Sequence, residues 1–123
     1  MKVSIVGNRT YWKYRSLVAQ KIYPSRSAAF RAAKRYLKLP MSKHPDKLVY
    51  PYTDLGDAYD LDERNVRLYV FYTFVGAIIL ELHIREDKPV SYGDEHGKGD
   101  QLPHFNSGKH PGGKKDHRYW NNG

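Results

Sequence analysis

Three polar side chains of different chemistry alternate along the end of a predicted strand. Glu81, His83 and Arg85 are each separated by one apolar residue, and side chains two positions apart in a strand point to the same face. A carboxylate, an imidazole and a guanidinium can supply a base, an acid and a clamp for phosphate. The same pattern is also typical of a solvated polar sheet face with ordinary cross-strand pairing.

A glycine-rich stretch over residues 97–106, GKGDQLPHFN, contains a second candidate. Its glycines allow backbone angles and close approaches that other residues do not. His104 lies between Pro103 and Phe105, and the ordinary pKa of histidine is close enough to neutral for it to move protons at pH 7. The alternative interpretation is a loop histidine without a task.

The stretch 114–120, KKDHRYW, adds a second histidine. His117 is followed by Arg118 and Tyr119, a cation and a ring that can stack or offer a hydroxyl. Two histidines that converge on a phosphate allow one to deprotonate a nucleophile and the other to protonate the leaving oxygen. The alternative is a frayed, basic terminus.

Histidines and aspartates are also numerous enough to form a metal site. The candidate ligands are His83, His96, His104, His110 and His117, with Asp87, Asp94 and Asp116. They form no pair at i, i+4 on a predicted helix, and residues 104–123 predict no helix that would complete a His-Asn-His nuclease site. The residues alone therefore favour metal-free cleavage of RNA, whose 2′-hydroxyl supplies an internal nucleophile.

The charge of the chain is unevenly distributed. The 123 residues carry 21 Lys and Arg against 13 Asp and Glu, a net charge of +8. Residues 1–48 have a balance of +11, residues 49–87 of −5 and residues 88–123 of +2. A basic first third predicts a polyanionic partner such as nucleic acid, although a charged, solvated surface has the same composition.

Composition excludes several classes of protein. The chain has no cysteine, which excludes a disulfide framework, a thiolate zinc site and a cysteine nucleophile. Its length fits one core, and its longest apolar run, 68–82, is too short to cross a bilayer. We expect no membrane partner. Because no secretion signal is visible at the start, we expect the cytoplasm of a producer or target cell as its location.

A basic amphipathic helix is predicted over 25–38. Ser25 or Ser27 can cap its first turn, and Pro40 follows its end. One face carries Ala29, Phe30, Ala33, Tyr36 and Leu37, and the opposite face carries Arg31, Lys34, Arg35 and Lys38. The apolar face should pack on a sheet, and the basic face is either solvated or turned toward phosphate.

Alternating and β-branched residues predict a hairpin of strands 66–74 and 77–86. Shorter strands are predicted over 48–52, near 104–106 and near 117–120, with an acidic loop over 53–65. Before the helix we expect a short strand near 3–6 and a helix over 11–22. Together these elements predict an α+β fold in which the basic amphipathic helix packs on a small antiparallel β-sheet.

Three motifs in the same order resemble the C-terminal nuclease domains of bacterial polymorphic toxins, in the HNH/endonuclease VII-type grouping. The first is SRSAAFRAAKR over 25–35, followed by LPMS over 39–42 and Pro45-Asp46. The second is the glycine-rich segment that ends in Pro-His-Phe-Asn at Asn106. The third is Lys115-Asp116-His117 with the aromatic Tyr119. The resemblance covers about residues 24–120, which leaves 1–23 as a basic aromatic N-terminal segment and 24–123 as a toxin-type nuclease domain.

The resemblance implies an endonuclease that cleaves DNA or RNA in a bacterial target cell and is inhibited by a cognate acidic immunity protein. It maps His104 and His117 onto family histidines and Glu86 onto a family acidic position. The family grouping implies metal assistance, whereas the residues alone favour chemistry without a cofactor. The chain departs from the pattern at Asp87, where the family tends to have histidine after the acidic residue.

We therefore expect His104 and His117 to form the acid/base pair, with Glu81 or Glu86 as an orienting group or base and His83 as a further catalytic candidate. The expected substrate-binding residues are Arg85, Arg118, Lys98, Arg31, Lys34, Arg35 and Tyr119. The competing hypothesis is a non-catalytic nucleic-acid-binding module. It explains the charge and the aromatic residues but assigns no role to the two histidine motifs.

Overall fold

The computed structural model of the chain describes residues 21–91, 100–110 and 112–121. The strand predicted near 3–6 and nearly all of the helix predicted over 11–22 lie outside these ranges. In chain order the elements are β1 Ile22–Tyr23, α1 Arg26–Tyr36, β2 Lys47–Val49, α2 Asp54–Ala58, β3 Asn65–Val75, β4 Ile78–Asp87, β5 Val90–Ser91, β6 Asp100–Gln101, β7 His104–His110 and β8 Gly113–Trp120. None of the helices in the described part has the length and apolar character needed to cross a membrane.

A six-stranded sheet dominates the fold, in the order β1-β8-β7-β4-β3-β2. Its neighbours are antiparallel except β1 and β8, which run parallel, and β5 pairs separately with β6. The predicted fold class, a helix packed on a small antiparallel sheet, is therefore wrong. The error arose at β7 and β8, whose polar and glycine-rich sequences suggested strands of only three or four residues.

Helix α1 lies within the predicted range and begins as predicted. Ser25 has an extended backbone, and its hydroxyl accepts a hydrogen bond from the Ala28 amide at 3.1 Å. This bond satisfies one of the amide groups that have no partner in the first turn. After the helix the chain turns at Lys38, whose φ is +60°, and Pro40 prevents further helical growth.

One face of the sheet is covered by α1 and forms the main core. The small residues Ala29, Ala32 and Ala33 let the helix approach the strands closely, and Phe30 contacts the rings of Tyr69 and Phe105. The sheet contributes Tyr23, Tyr69, Phe71, Leu82, Ile84, Phe105 and Trp120 to this core. Burial of these apolar side chains stabilises the helix on this face.

The other face is apolar only near β2 and β3. Val49, Leu61, Leu68 and Val70 form a smaller buried cluster there. Across β4, β7 and β8 the same face carries histidines, amides and charged groups, because side chains alternate along each strand. The fold thus separates an apolar, helix-covered face from a polar face.

The β7–β8 hairpin contains a register shift between Ser107 and Gly108. A Cβ atom at Gly108 would lie 1.9 Å from the carbonyl oxygen of Gly113 on the facing strand, so no larger residue fits this backbone approach. The shift places Lys114 opposite Gly108 and His117 opposite Asn106.

Replacing the glycine at this close approach should destabilise the protein. Gly108→Ala forces the hairpin strands apart, and we expect the free energy of unfolding to fall by about 1–3 kcal/mol or more. The matched control is Gly112→Ala in the same hairpin, where the nearest atom would be 3.3 Å away, and its loss of stability should be clearly smaller because a small shift of the neighbouring backbone relieves the contact. Urea unfolding of both variants checks this, and equal stabilities would contradict the close approach.

Candidate functional site

The polar face of the sheet contains a cleft where β4, β7 and β8 lie side by side. Leu82, Ile84 and Phe105 belong to the helix-covered core, so the residues that alternate with them point the other way. The cleft has a volume of about 270 Å³. It is lined by Asp60, Asp62, Arg64, Asn65, Arg85, Asp87, Lys88, His104, Asn106, His117 and Tyr119.

Asp87 is the buried carboxylate at the centre of this cleft. Its Oδ1 accepts hydrogen bonds from Asn65 Nδ2 at 2.8 Å and from Arg85 Nε at 2.9 Å. Its Oδ2 accepts from Asn106 Nδ2 at 2.6 Å and from Arg85 Nη2 at 3.0 Å. One carboxylate therefore connects β3, β4 and β7.

His104 is held between Asp87 and the backbone. Its Nδ1 donates to the Leu102 carbonyl at 3.0 Å, its Nε2 lies 3.4 Å from Asp87 Oδ2, and its ring stacks on Tyr119 with 4.5 Å between centroids. Both nitrogens thus face oxygen acceptors.

The environment keeps Asp87 charged. Burial by itself would raise the pKa of this carboxyl, but hydrogen bonds from His104 and Arg85 and the charge of Arg85 hold its pKa well below the ordinary value.

His117 faces His104 from the neighbouring strand, with 6.0 Å between the ring centroids. The residue is exposed, yet partial burial of the ring and the charge of His104 lower its pKa, and Asp116 only partly offsets this. The His117 ring is therefore kept neutral at pH 7, and a neutral imidazole can accept a proton. The two rings thus differ in their surroundings, because His104 is buried beside Asp87 and His117 is exposed.

Two cations accompany the histidines on this face. Arg85 donates to Asp87 through Nε and Nη2, and Nη1 takes no part in these bonds. Lys114 lies opposite Gly108, and burial together with the charge of Arg85 lowers its pKa, whereas Asp87 raises it. Arg85 therefore offers positive charge to an anion in the cleft, and Lys114 adds positive charge at the Gly108 side of the same face.

Glu86 lies on the opposite face of the sheet from the histidines. Its carboxylate accepts bonds from Arg26 Nε at 2.9 Å, Arg26 Nη2 at 2.8 Å and Tyr69 Oη at 2.9 Å. Burial would raise the pKa of Glu86, but Arg26 and Tyr69 lower it below its ordinary value. Glu86 thus fastens α1 to the sheet and does not reach the cleft.

Glu81 and His83 lie on the polar face as well, but nearer the start of β4 than Arg85 and Asp87. His83 Nε2 donates to Glu81 Oε1 at 2.8 Å, and Tyr59 Oη donates to both Glu81 oxygens at 2.9 and 3.1 Å. The structure therefore brings His104, His117, Arg85 and Tyr119 together and places Glu81 and His83 in a neighbouring cluster.

The basic residues of α1 are remote from the cleft because the helix covers the other face. Arg31 and Arg35 are exposed there. Lys34 is only 4% exposed, and its Nζ donates to the carbonyls of Met41 and Lys43 at 2.8 and 2.6 Å. It fixes the loop after the helix.

The remaining two predicted phosphate contacts differ in their placement. Arg118 Nε donates to Asp116 at 2.6 Å, and Arg118 Nη1 donates to the Tyr23 hydroxyl at 2.8 Å. It alternates with the cleft residues His117 and Tyr119 and so lies toward the helix side. Lys98 lies outside the described residues.

Sequence reasoning missed the amides of the site. The only site role it considered for Asp87 was that of a metal ligand, and it assigned no role to Asn65 or Asn106. Alternation along β4 from His83 through Arg85 leads directly to Asp87, and Asn106 ends the Pro-His-Phe-Asn motif. No sequence pattern around Asn65 indicates a place in the site, because Asn65 meets Asp87 only through the pairing of β3 with β4.

The two buried groups at the centre of the cleft, Asp87 and His104, are engaged in hydrogen bonds that compete with binding to a divalent cation. Both Asp87 oxygens already accept hydrogen bonds from N–H groups, and His104 Nδ1 donates to a carbonyl. Metal ions require free lone pairs. In the described part of the chain no group of three or more His, Asp or Glu is arranged to hold a metal.

No protein-family model matches the chain, and neither a curated protein nor a solved structure matches it. The resemblance to toxin nucleases therefore stays a prediction from the sequence motifs. What the cleft can do has to follow from its own geometry.

Neutralising Asp87 should destabilise the protein in a pH-dependent way. Asp87→Asn turns an amide N–H toward existing donors, and we expect a loss of about 2–4 kcal/mol of unfolding free energy at pH 7. A carboxyl whose pKa is lowered by folding stabilises above its unfolded pKa, and this contribution disappears as the pH falls through the folded pKa. The difference between the natural protein and the variant should therefore shrink below about pH 4.

Denaturant unfolding at pH 7 and at pH 3 measures both effects. The control is Glu63→Gln, an exposed carboxylate, which should change the stability by less than about 0.5 kcal/mol. A stability difference for Asp87→Asn that grows on acidification would contradict the assigned contacts.

Proposed function

We propose that the chain is an endonuclease that cleaves RNA without a metal ion, with His104 as the general acid and His117 as the general base. The observation that carries the proposal is a pair of imidazoles on neighbouring strands, with 6.0 Å between the ring centroids, in one polar cleft. His104 lies 3.4 Å from the Asp87 carboxylate, and burial together with the charge of His104 lowers the pKa of His117. Such a pair is poised for proton transfer in both directions.

The proposed reaction uses the ribose itself as the nucleophile. His117 takes the proton of the 2′-hydroxyl, whose oxygen attacks the adjacent phosphorus while the bond from phosphorus to the 5′-oxygen breaks. His104 gives its proton to that leaving oxygen. The products are a 2′,3′-cyclic phosphate and a free 5′-hydroxyl, and no water or cofactor enters this step.

The cations of the cleft would stabilise the charge that develops on the phosphate. Arg85 lines the cleft, and Lys114, opposite Gly108, lies on the same face of the sheet as the histidines. Asp87 holds the Arg85 guanidinium in place before substrate binds, so little reorganisation is needed. Tyr119 supports the His104 ring from one side.

The biological setting remains the one implied by the sequence motifs. A toxin-type RNase acts in a bacterial target cell, and its producer needs an inhibitor. A cleft that attracts phosphate, in a chain of net charge +8, favours an acidic immunity protein whose carboxylates occupy the phosphate positions. Because Arg31 and Arg35 lie on the far face, this inhibitor would contact the cleft and not helix α1.

Removing either histidine should abolish most RNA cleavage. In assays with total RNA and with plasmid DNA, each with and without EDTA, His117→Ala and His104→Asn should each lower the rate of RNA cleavage by about 10²- to 10⁴-fold. EDTA should have no effect. His44→Ala, an exposed histidine in the 41–46 loop, serves as the matched control and should cleave at the natural rate.

Circular dichroism and unfolding curves must show that the variants are folded, which matters most for the buried His104. Plasmid cleavage that EDTA stops would instead identify a metal-assisted DNase. Nucleic-acid binding without any cleavage would favour the non-catalytic module.

The pH dependence of cleavage should report the lowered pKa of His117. A general base works when neutral, so lowering its pKa moves the rise of kcat/KM to lower pH. We expect the midpoint of this acidic limb below 6.5, the ordinary value for histidine. Measurement of kcat/KM from pH 4 to 9 on a short RNA tests this, and a midpoint at or above 6.5 would contradict the assigned role.

A further inference from the structure

A second ordered cluster lies on the polar face beside the cleft, and the proposed reaction does not use it. It consists of Tyr59, Glu81, His83 and His110, here called the stacking platform. Tyr59 donates to both oxygens of Glu81, and Glu81 accepts from His83 Nε2 at 2.8 Å. The His110 ring lies on the His83 ring, with 4.9 Å between centroids and 20° between planes.

The cluster fixes an exposed ring on a buried support. His83 is 1% exposed, and its Nδ1 is buried without a hydrogen-bond partner in the part of the chain that the structure describes. The rings of Tyr59 and His83 also contact each other in an edge-to-face arrangement, with 5.4 Å between centroids. His110 itself is exposed. A ring that is held on one side and open on the other can receive a flat ligand at low entropic cost.

The surroundings of the platform are basic. The Lys47 ammonium lies 5.2 Å from the centre of the Tyr59 ring, and hydrogen bonding to Tyr59 and Tyr72 raises the pKa of Lys47, so it stays charged. Lys114, opposite Gly108, stands between the cleft and the platform. Flat rings next to cations are the combination that binds single-stranded nucleic acid.

The platform is aligned with the cleft. Strand β7 carries His104 and Asn106 in the cleft and His110 in the platform, all on one face. Asn106 and His110 are four residues apart, which is about 13 Å along a strand. An RNA chain whose phosphate lies between His104 and His117 can therefore place a neighbouring base on His110.

We infer that the stacking platform is a second nucleotide subsite, which binds an unpaired base of a single-stranded RNA by stacking on His110. Glu81 and His83 are then positioning residues for this subsite and not members of the acid/base pair. The inference rests on the proposed RNase function for its choice of ligand. Base–ring stacking does not read sequence, so the subsite adds affinity for longer RNA and little base preference.

Binding of an RNA that cannot be cleaved tests the subsite separately from catalysis. The probe is a fluorescent single-stranded 2′-O-methyl RNA decamer, followed by anisotropy. His110→Ala should weaken its binding about five- to 150-fold, the range for loss of one base stack. His110→Tyr keeps a stacking ring and should bind within about threefold of the natural protein, and His44→Ala should bind unchanged.

Cleavage supplies a second readout. In His110→Ala the ratio of kcat/KM for a decamer to kcat/KM for a dinucleotide should fall by the same factor as the binding. Unchanged decamer binding by His110→Ala, or failure of tyrosine to restore it, would overturn the subsite. If the natural protein cleaves no RNA but His110→Ala still weakens binding and tyrosine restores it, the RNase proposal fails while the subsite stands.

Discussion

The site depends on a single buried carboxylate. Asp87 accepts hydrogen bonds from Asn65 on β3, Arg85 on β4 and Asn106 on β7. It also lies beside the His104 imidazole on β7. One negative charge therefore sets the positions of side chains on three strands. Burying a charge is costly unless it is paired and hydrogen-bonded. These donors offset that cost, and the same contacts fix the groups that the proposed reaction needs.

The two faces of the sheet have separate tasks. The helix-covered face provides the stability, through its apolar core and the Glu86 contacts with Arg26 and Tyr69. The polar face then carries groups that would be unfavourable in a core, including an exposed histidine with a lowered pKa. Because the strands are shared, each residue of β4 serves one face or the other. Glu86 holds the helix, and its neighbour Asp87 organises the cleft.

The sequence predicted the local elements better than their assembly. The serine cap of α1 and the hairpin of strands 66–74 and 77–86 have strong local signals, and both are present, with the hairpin turn at residues 76–77. Strands β7 and β8 are longer than the predicted strands near 104–106 and 117–120. Their pairing depends on a register shift at Gly108, which no local sequence pattern reveals. Glu86, the acidic residue expected in the site, lies on the helix-covered face, and Asp87 lies in the cleft, because one position in a strand exchanges the faces. Pairing between distant strands, which also recruits Asn65, cannot be derived from periodicity.

The central claim is that the 2′-hydroxyl of RNA is the nucleophile for the His104 and His117 pair. The most direct measurement uses a short RNA with one linkage that the protein cuts, and a second version with a single 2′-deoxy sugar on the 5′ side of that linkage, both in EDTA. The account predicts that this one substitution stops cleavage there, while the all-RNA version yields a 2′,3′-cyclic phosphate end. Cleavage at the deoxy position at an undiminished rate would contradict it.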